Sequence, residues 1–544
     1  MTEETNFVGV DVGTGSVRAA RVSAQGAVLR TATHPISTWN PAPDFYEQSS
    51  DNIWRACCSV IKEVTADVSP DSVRGIGFDA TCSLVVLDSV GQPVSVSPSG
   101  DPAHNVVLWM DHRAKDEAAY INQMSHQVLN YVGGKISLEM QVPKLLWLKK
   151  HLRQQCWDKA HHFFDLPDFL TWKATNSTSR SLCSLVCKWT YLVDSNGIGG
   201  WSDNFFTQIG LDDLKEDNWS KIGTEVKMPG SAVGSGLSLE AAADTGLHPG
   251  TPVGTSLIDA HAGTLGLLGC SAPGITLDFA RRLGLICGTS SCHMAVAPQP
   301  LFVPGVWGPY YSAVVPGMWL SEGGQSATGR LLDHIIDTHP ESEAIKKKLQ
   351  GKGHIHNYLN DQLKQLAEEK SCSVAELTAN IHLLADFHGN RSPLADPTMK
   401  GMICGLTLNV GQENLALLYL ATIQAISYGT RHIASILSRN GHKLSVAAAC
   451  GGLVQNELFV QTLADVLQLP VLLPLESESM LLGSAILGAC AAATFPSVEE
   501  AIRCMGGIAT LIMPRSEDEK YHNKKYAVYL KMIEDQITYL KLMS

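Results

Sequence analysis

The chain has 544 residues, of which 45% are hydrophobic, and a formal net charge of −12 at pH 7. Single hydrophobic cores stop growing near about 250–300 residues, so the chain is long enough for more than one domain. The acidic balance and the lack of a Lys/Arg stripe argue against a nucleic-acid partner.

The sequence shows no targeting or membrane-spanning signal. The first residues, Met1–Thr5, are polar and acidic, unlike a signal or transit peptide. The longest apolar run, Met480–Phe495, is shorter than the ~20 residues of a bilayer span and predicts a buried helix. The 14 cysteines include no Cys-x-x-Cys pair, and no His stands at zinc-finger spacing from Cys183 and Cys187. We therefore expect a cytoplasmic protein with reduced cysteines and no membrane contact.

The first predicted element is a hairpin. Apolar runs at 7–12 and 17–22 flank a Gly13-Thr14-Gly15-Ser16 turn. Backbone N–H groups and hydroxyls in such a turn can surround a phosphate. Asp11 would repel that phosphate unless a magnesium ion lay between them. The alternative is an ordinary glycine-rich turn with a solvated Asp11. The segment is not a P-loop, because no Gly-Lys-Ser/Thr follows the glycines.

Helices and strands then alternate up to Lys188, a candidate site residue. Helices are predicted over 51–64, 114–124, 141–157 and 163–174, and strands over 73–78, 84–87 and 106–108. Asp79 and Thr81 follow strand 73–78, where polar side chains suit either ligand hydroxyls or a capped turn. Lys188 lies in an apolar, aromatic segment, so it either extends to the surface or points into a site.

Asp259 is the strongest candidate for catalysis. A β-branched, apolar run over 253–258 delivers this carboxylate to Ala260, Ala262 and Gly263, which precede an apolar helix. Small neighbours leave room for another molecule, which suits a general base. The alternative is that Asp259 only caps the helix behind it.

The second half begins near Pro273-Gly274 and echoes the first hairpin. Strand 283–287 leads into Gly288-Thr289-Ser290, as strand 8–12 leads into Gly13-Thr14-Gly15. This echo predicts two halves built on one plan, each with a turn that faces phosphate. Glu322-Gly323-Gly324 is predicted to start a helix that runs to residue 336. Two glycines at a helix start would let the backbone approach a ligand closely.

The remaining segments complete the predicted second half. Residues 340–379 are charged and predict a peripheral helical insertion, and 415–440 predicts a long helix. Strand 446–449 is followed by Gly451-Gly452 and then by a helix that runs to residue 467. The double glycine between a strand and a helix predicts a turn that could bind a nucleotide. Apolar spacing over 526–540 predicts an amphipathic final helix that docks on the body.

Taken together and in this order, these motifs resemble the FGGY carbohydrate kinase family, in its ribulokinase-type branch. The matching segments are 11–18, 78–83, 109–113, 187–189, 258–263, 288–291, 322–326, 390–393 and 451–456. The resemblance implies an α/β fold with two ribonuclease-H-like domains around a catalytic cleft, as in actin and hexokinase. Residues 1–268 would be the sugar-binding N-terminal domain with the first phosphate loop. Residues 269–544 would be the ATP-binding C-terminal domain, with a helical insertion at about 340–380 and a C-terminal helix.

The resemblance also implies a role for each matching site residue. Asp259 would be the catalytic base that deprotonates the attacking hydroxyl, and Asp11 and Asp259 would hold Mg²⁺. The implied sugar contacts are Asp79, Thr81, Lys188, Asp259 and Glu322. The implied ATP contacts are Gly13, Thr14, Gly15, Arg18, Gly288, Thr289, Gly323, Gly324, Gly451, Gly452 and Asn456.

The expected activity is ATP-dependent phosphorylation of a ketopentose, with D-ribulose giving D-ribulose 5-phosphate as the leading substrate. L-ribulose, D-xylulose and a polyol remain open, as does a non-catalytic ATP-gated sugar-binding module. The sequence is also compatible with a homodimer. Residues 275–282 are longer and more charged than expected before the second phosphate turn, which leaves the strand register there in question.

Overall fold

The computed structural model describes residues 5–194, 197–351 and 353–543. Residues 1–4 and Ser544, at the outer limits of the two predicted domains, lie outside the described residues. Residues 1–4 are most of the acidic N-terminal peptide Met1–Thr5.

The first half of the chain supplies thirteen of the described strands. In chain order they are β1 (Asn6–Val12), β2 (Ser16–Ser23), β3 (Val28–Pro35), β4 (Glu47–Gln48), β5 (Val73–Ala80), β6 (Leu84–Leu87), β7 (Val106–Val107), β8 (His162–Asp165), β9 (Arg180–Ser181), β10 (Leu192–Val193), β11 (Gly199–Gly200), β12 (Val226–Lys227) and β13 (Leu257–Ile258). The helices are α1 (Ser50–Thr65), α2 (Lys115–Asn122), α3 (Gln141–His151), α4 (Leu166–Thr175), α5 (Leu182–Lys188), α6 (Asp203–Ile209), α7 (Asp213–Glu216), α8 (Leu239–Thr245) and α9 (Asp259–Leu268). Short 3₁₀ turns cover Pro70–Ser72 and Gln127–Tyr131, and a π turn covers Arg153–Trp157.

The second half continues the chain in the same alternating manner. Its strands are β14 (Arg282–Cys287), β15 (Ser291–Ala297), β16 (Trp307–Tyr311), β17 (Trp319–Gln325), β18 (His382–Leu384), β19 (Met402–Cys404), β20 (Val446–Cys450), β21 (Val471–Pro474) and β22 (Ala509–Ile512). Its helices are α10 (Gly329–Asp337), α11 (Ser342–Lys348), α12 (Ile355–Lys370), α13 (Gln412–Arg439), α14 (Glu457–Leu467), α15 (Ser479–Ala491), α16 (Val498–Met505) and α17 (Ser516–Met543). Short 3₁₀ turns cover Phe279–Arg281, Ala375–Thr378 and Gly452–Gln455.

A five-stranded sheet forms the centre of the first half, with strand order β13-β5-β1-β2-β3. β1 pairs antiparallel with β2, as the Gly13–Ser16 turn predicted, and parallel with β5 on its other side. All seven residues of β1 are buried because helices cover both faces of the sheet.

The second half repeats this plan in a seven-stranded sheet with order β16-β17-β15-β14-β20-β21-β22. β14 and β15 form the antiparallel hairpin, and β20 and β21 add in parallel on the other side. The predicted repetition of one plan in two halves is therefore confirmed. The questioned stretch 275–282 ends in Arg282, which starts β14, and the β14–β15 register runs unbroken from Leu283 to Cys287.

Two helices with small residues pack tightly between the sheets. α9 leaves the first sheet and α15 returns to it from the second half, where it packs on β1 and β5. A Cβ atom on Gly483 would lie 1.9 Å from the backbone oxygen of Ala262, so only glycine allows this approach. The apolar run from Met480 is thus a buried helix, as predicted.

Two predicted helices are wrong in part. Residues 163–165 belong to strand β8, which pairs with β6, because Phe163 and Phe164 favour a strand when a partner edge is available. The helix predicted over 141–157 ends at His151, and a π turn replaces its last part.

The last helix, α17, docks on the body, as its apolar spacing predicted. Tyr529, Met532 and Ile533 are buried against Leu384 and Tyr428. None of the helices in the described ranges combines the length and apolar character that a bilayer crossing requires.

Candidate active site

Three carboxylates lie where parallel strands of the first sheet end. Asp11 on β1 and Asp79 on β5 are directly paired in register, and Asp259 follows β13, which pairs with β5. The carboxyl ends of parallel strands meet at one edge of a sheet, so the fold collects these acids from distant parts of the chain. We call Asp11, Asp79 and Asp259 the carboxylate cluster.

Asp259 is the most open member of the carboxylate cluster. It is the first residue of α9 and follows the N-cap residue, Ile258. Its carboxylate accepts one hydrogen bond at 2.7 Å, from the backbone N–H of Ala260, and its side chain remains half-buried. Burial raises the pKa of Asp259 to about 7, and the charge of Asp11 adds to the rise. A carboxylate that titrates near neutral pH is suited to accept a proton.

Asp11 is buried, so the alternative of a solvated aspartate beside a glycine-rich turn is wrong. Arg18 lies opposite it on β2 and donates from Nε to Asp11 Oδ2 at 3.0 Å. The same guanidinium donates from Nη1 to Glu478 Oε2 at 2.8 Å, which links the first sheet to the segment before α15. Arg18, predicted as an ATP contact, is thus held by two carboxylates.

Asp79 differs from its prediction, because β5 extends to Ala80 and places it inside the strand and not in the turn. Pairing with β1 carries the strand two residues beyond its predicted end. Ser484 of α15 donates to Asp79 Oδ2 at 2.5 Å, while Oδ1 has no hydrogen-bond partner. Burial, followed by the charge of Asp11, raises the pKa of Asp79 well above its ordinary value. Thr81 is in the turn, where its N–H donates to the backbone oxygen of Val12 at 3.0 Å.

The carboxylate cluster has the composition of a magnesium site. Three carboxylates repel one another there, and Arg18 is the cation that contacts one of them. The unpartnered Oδ1 of Asp79 is a buried acceptor that lacks a positive partner. Magnesium prefers carboxylate and water oxygens. The residues predicted to hold it, Asp11 and Asp259, fit that preference.

A second charged group lies beside the carboxylate cluster and joins the two halves. Lys188 and Glu322 are each 2% exposed, so the surface interpretation of Lys188 is wrong. Their charged atoms are 3.7 Å apart, and Arg391 donates to Glu322 Oε1 at 2.7 Å. Glu139 lies 3.9 Å from Lys188 and 3.7 Å from Arg391. We call Glu139, Lys188, Glu322 and Arg391 the charged network.

Trp307 forms the wall of the charged network. Its ring faces the charged ends of Lys188 and Arg391, each 4.4 Å from a ring centroid, in cation–π geometry. Burial opposes the charge on Glu322, but Lys188, His261 and Arg391 outweigh it and lower its pKa. The charges of Lys188 and Glu322 also act on Asp259, which sets the network next to the candidate base.

The two glycine–threonine turns occupy equivalent hairpins of the two sheets. Trp109 Nε1 donates to Thr14 Oγ1 at 3.0 Å, and Gln48 Nε2 donates to the Thr14 backbone oxygen at 2.8 Å. In the second turn, the N–H groups of Thr328 and Gly329 donate to the backbone oxygens of Thr289 and Gly288. A Cβ on Gly15 would meet nothing within 4 Å, so the tip of the first turn is open.

Gly323 and Gly324 are not at a helix start, contrary to the prediction. Both are buried inside β17, and α10 begins only at Gly329. A Cβ on Gly323 would lie 2.9 Å from Ile433, and one on Gly324 would lie 3.0 Å from Arg391. These glycines therefore make room for neighbouring side chains of the protein.

The third predicted ATP segment is a turn with one open glycine. Gly451 has a φ of +99°, and a Cβ on Gly452 would meet nothing within 4 Å. The side chain of Asn456 is engaged within the protein, because its amide donates to Tyr419 at 2.7 Å and its oxygen accepts from Asn360 at 3.1 Å.

Sequence reasoning missed several members of the site. Arg391 lies in a polar turn to which no role was given, and Glu139 precedes a helix without any motif. Ser484 and Glu478 come from the segment around α15. Ser484 contacts Asp79, 405 residues away along the chain, and Glu478 contacts Arg18, 460 residues away. The signal for Arg391 was a lone arginine between Asn390 and a Ser-Pro pair.

Comparison with known proteins agrees with this architecture. Residues 6–266 match the N-terminal domain of the FGGY family of carbohydrate kinases, and residues 283–492 match its C-terminal domain. The chain is 52% identical over 547 residues to the FGGY carbohydrate kinase domain-containing protein of Homo sapiens, covering 99% of this chain and 98% of that protein. It is 36% identical to a D-ribulokinase of Saccharomyces cerevisiae, over 97% of this chain and 77% of that protein.

The fold is also that of a solved sugar kinase. The crystal structure of xylulose kinase from Rhodospirillum rubrum superposes with a TM-score of 0.78 at 20% identity, covering 98% of this chain and 99% of that one. At this identity the likeness concerns the fold alone. The predicted α/β architecture with two domains is thereby confirmed.

Proposed function

The chain belongs to the FGGY family of carbohydrate kinases, and on that premise we propose that it transfers the terminal phosphoryl group of ATP to a hydroxyl of a ketopentose. D-ribulose, giving D-ribulose 5-phosphate, is the substrate we favour, because a D-ribulokinase is similar to 97% of this chain. The observation that carries the proposal is Asp259, a half-buried member of the carboxylate cluster with a pKa of about 7, on which the charges of Lys188 and Glu322 also act.

Asp259 acts as the general base. Its pKa lets it accept a proton from the attacking sugar hydroxyl near neutral pH. Its carboxylate is held by the N–H of Ala260, which fixes its direction at the start of α9. Phosphoryl transfer requires little covalent chemistry from the protein, so position is the main contribution of this residue.

The charged network holds the sugar. Glu322 can accept hydrogen bonds from sugar hydroxyls, and Lys188 and Arg391 can donate to hydroxyl or carbonyl oxygens. These three side chains already fix one another, so they lose little conformational freedom when a sugar binds. Thr81 is a further contact. Asp79 accepts a hydrogen bond from Ser484 and feels the charge of Asp11, and we assign it to the carboxylate cluster instead of the sugar.

Magnesium would be held by Asp11 and Asp259, with Asp79 beside them. When bound, it neutralises negative charge on the phosphates of ATP. Arg18 orients the Asp11 carboxylate at this edge of the sheet through its hydrogen bond to Oδ2. Ser484 orients the Asp79 carboxyl group from the opposite half through its own hydrogen bond.

ATP binds through the backbone turns. The Gly13–Gly15 and Gly288–Thr289 turns offer backbone N–H groups and threonine hydroxyls to phosphate oxygens. Gly451 and the open Gly452 lie in a turn that leaves space for adenosine, and Asn456 supports this turn through Asn360 and Tyr419. The sugar would bind mostly to residues 1–268 and ATP mostly to residues 269–544. Each half also lends groups to the other ligand, Gly13–Gly15 to the phosphates and Glu322 and Arg391 to the sugar. Closure of the two halves would exclude water, a competing acceptor.

A substrate panel tests this function. ADP release should be measured with ATP and magnesium over D-ribulose, L-ribulose, D-xylulose and a pentitol. We expect the highest kcat/KM with D-ribulose. A preference for another member of the panel would retain the kinase and replace the substrate. An enzyme that binds ATP and sugar without any sugar-stimulated ADP release would instead be a non-catalytic binding module.

A further inference from the structure

A compact group of metal-ligating side chains lies behind the charged network. Cys183 and Cys187 are one helical turn apart on α5, and His261 faces them from α9. Their ligand atoms all lie within 4.8 Å of one another, and all three residues are buried. Among the described residues this is the group of His, Cys and acidic side chains that could surround a metal ion.

Glu322 reaches the edge of this group from the second half, next to His261. Its Oε2 lies 3.5 Å from His261 Nε2, and Cys187 Sγ lies 3.3 Å from the same nitrogen. Oε2 has no hydrogen-bond partner although the side chain is only 2% exposed, since Arg391 engages the other oxygen. A buried acceptor without a partner is costly, so the position of Oε2 beside His261 needs a physical reason.

Two of the measured spacings are close to edges of a zinc tetrahedron. With Zn–S bonds of about 2.3 Å and Zn–N or Zn–O bonds of about 2.0–2.2 Å, adjacent sulfur–nitrogen and nitrogen–oxygen pairs are about 3.4–3.6 Å apart. The Cys187 Sγ–His261 Nε2 distance of 3.3 Å and the His261 Nε2–Glu322 Oε2 distance of 3.5 Å are close to these values. Cys183 Sγ lies within 4.8 Å of the ligand atoms of Cys187 and His261. We propose that Cys183, Cys187 and His261 form a second metal site, for a single thiophilic divalent cation of the zinc class, and that Glu322 moves its side chain to complete it as the fourth ligand.

The charge balance favours this ion over magnesium. Two thiols lose their protons to solvent when they coordinate, and the two thiolates neutralise the two positive charges of the metal. The buried net charge is then unchanged, which avoids the large cost of an uncompensated ion. Thiolate and imidazole ligands select zinc and cobalt over magnesium, which the oxygen-rich carboxylate cluster suits.

Occupancy of this site should inhibit the enzyme. A metal bound to Glu322 competes with Lys188, Arg391 and the sugar for the same carboxylate, and it ties the second half to α5 and α9 of the first. This inhibitory effect rests on the proposed sugar site. The binding of the metal does not, so a failed kinase assay leaves it intact and separately measurable.

Cobalt titration of the full-length, metal-free protein tests the site. We expect one equivalent of Co²⁺ to give thiolate-to-cobalt charge transfer and intense visible bands of tetrahedral geometry, displaced by Zn²⁺ and unaffected by excess Mg²⁺. Cys187→Ser should weaken zinc binding more than about 100-fold, because a ligand matters more than its supporting shell. Cys57→Ser is the matched control, since Cys57 and Cys58 are also neighbouring buried cysteines.

Zinc X-ray absorption on the unsubstituted protein decides the matter even if Cys187→Ser does not fold. Two sulfur and two nitrogen or oxygen neighbours are expected at about 2.3 and 2.0 Å. A bound zinc without sulfur neighbours, no saturable cobalt band, or equal loss of the band in Cys57→Ser would each overturn the proposal. With a confirmed kinase, zinc should raise the sugar KM of the unsubstituted enzyme, and Cys183→Ser should relieve that effect.

Discussion

Ser484 donates a hydrogen bond to Asp79 across the two halves of the molecule, at an Oγ–Oδ2 distance of 2.5 Å. The serine belongs to α15 and the aspartate to the central region of the first sheet, so one bond couples the carboxylate cluster to the helix that returns from the second half. Both residues are completely buried. The other oxygen of Asp79 has no partner, which makes Ser484 its direct hydrogen-bond donor.

Ser484→Ala should therefore destabilise the protein. Loss of the donor leaves a buried carboxyl group unpaired, which costs about 1–3 kcal/mol. Thermal unfolding with and without magnesium measures the effect. Ser256→Ala is the control, because Ser256 is equally buried and its hydroxyl has no hydrogen-bond partner. Equal midpoints for the two variants would show that the bond contributes nothing.

Lys188→Met should weaken sugar binding selectively. The substitution removes a cation that lies 3.7 Å from Glu322 and faces Trp307, and a hydrogen bond to a charged group is worth about 1.5–3 kcal/mol. We expect the sugar KM to rise by about 10–100-fold while the ATP KM changes little. Lys144→Met is the matched control, since Lys144 is also buried but donates to the backbone oxygen of Leu108. An equal rise of both KM values would remove Lys188 from the sugar site.

Local patterns predicted the two hairpins and the placement of Asp259, because a glycine–threonine turn between apolar runs and a strand followed by small residues are encoded by neighbours in the sequence. Asp79 was misplaced because the end of β5 depends on its pairing with β1. Gly323 and Gly324 were assigned to a helix start because two glycines after a carboxylate resemble a ligand-binding turn. Gly323 and Gly324 lie in a strand because they pair with β15, and Gly324 leaves room for Arg391. Neither contact can be seen in the local sequence.

The second metal site escaped prediction for the same reason. Cys183 and Cys187 lacked a histidine at zinc-finger spacing, and His261 reaches them only after α9 has packed against α5. The charged network is also tertiary, because Arg391 meets Glu322 through a turn that carries no periodic pattern. Residue types were sufficient to nominate candidates, whereas the partners of each candidate required the fold.

Asp259→Asn should abolish turnover and preserve binding. The amide has nearly the same shape and accepts the N–H of Ala260, but it cannot take the proton of a sugar hydroxyl. General bases contribute about 10²–10⁴-fold, so kcat should fall by at least about 100-fold. Calorimetry should still detect the sugar and ATP. Asp217→Asn, at an exposed position, serves as the control, and near-normal turnover in Asp259→Asn would exclude the base role.

The pH dependence of kcat/KM should report the ionisation of Asp259. The base must be ionised, and burial raises its pKa to about 7, so the protonated and inactive fraction grows as the pH falls below that value. We expect kcat/KM to decline about tenfold per pH unit below 7 and to reach a plateau above it. His261 contributes no inflection there, because burial lowers its pKa to about 4. A flat kcat/KM profile between roughly pH 5.5 and 8, where a group with a pKa near 7 changes its charge, would contradict the role of Asp259 as the base.

Gly483→Ala should disturb the contact between α9 and α15. The new Cβ would lie 1.9 Å from the backbone oxygen of Ala262, and neither backbone can yield without moving its helix. Overpacking typically costs about 1–3 kcal/mol, and the displaced α9 also carries Asp259, so both thermal stability and kcat should fall. Gly200→Ala is the control, because a Cβ there meets nothing within 4 Å. If Gly483→Ala kept the stability and turnover of Gly200→Ala, the close approach of the two helices would not govern the position of the base.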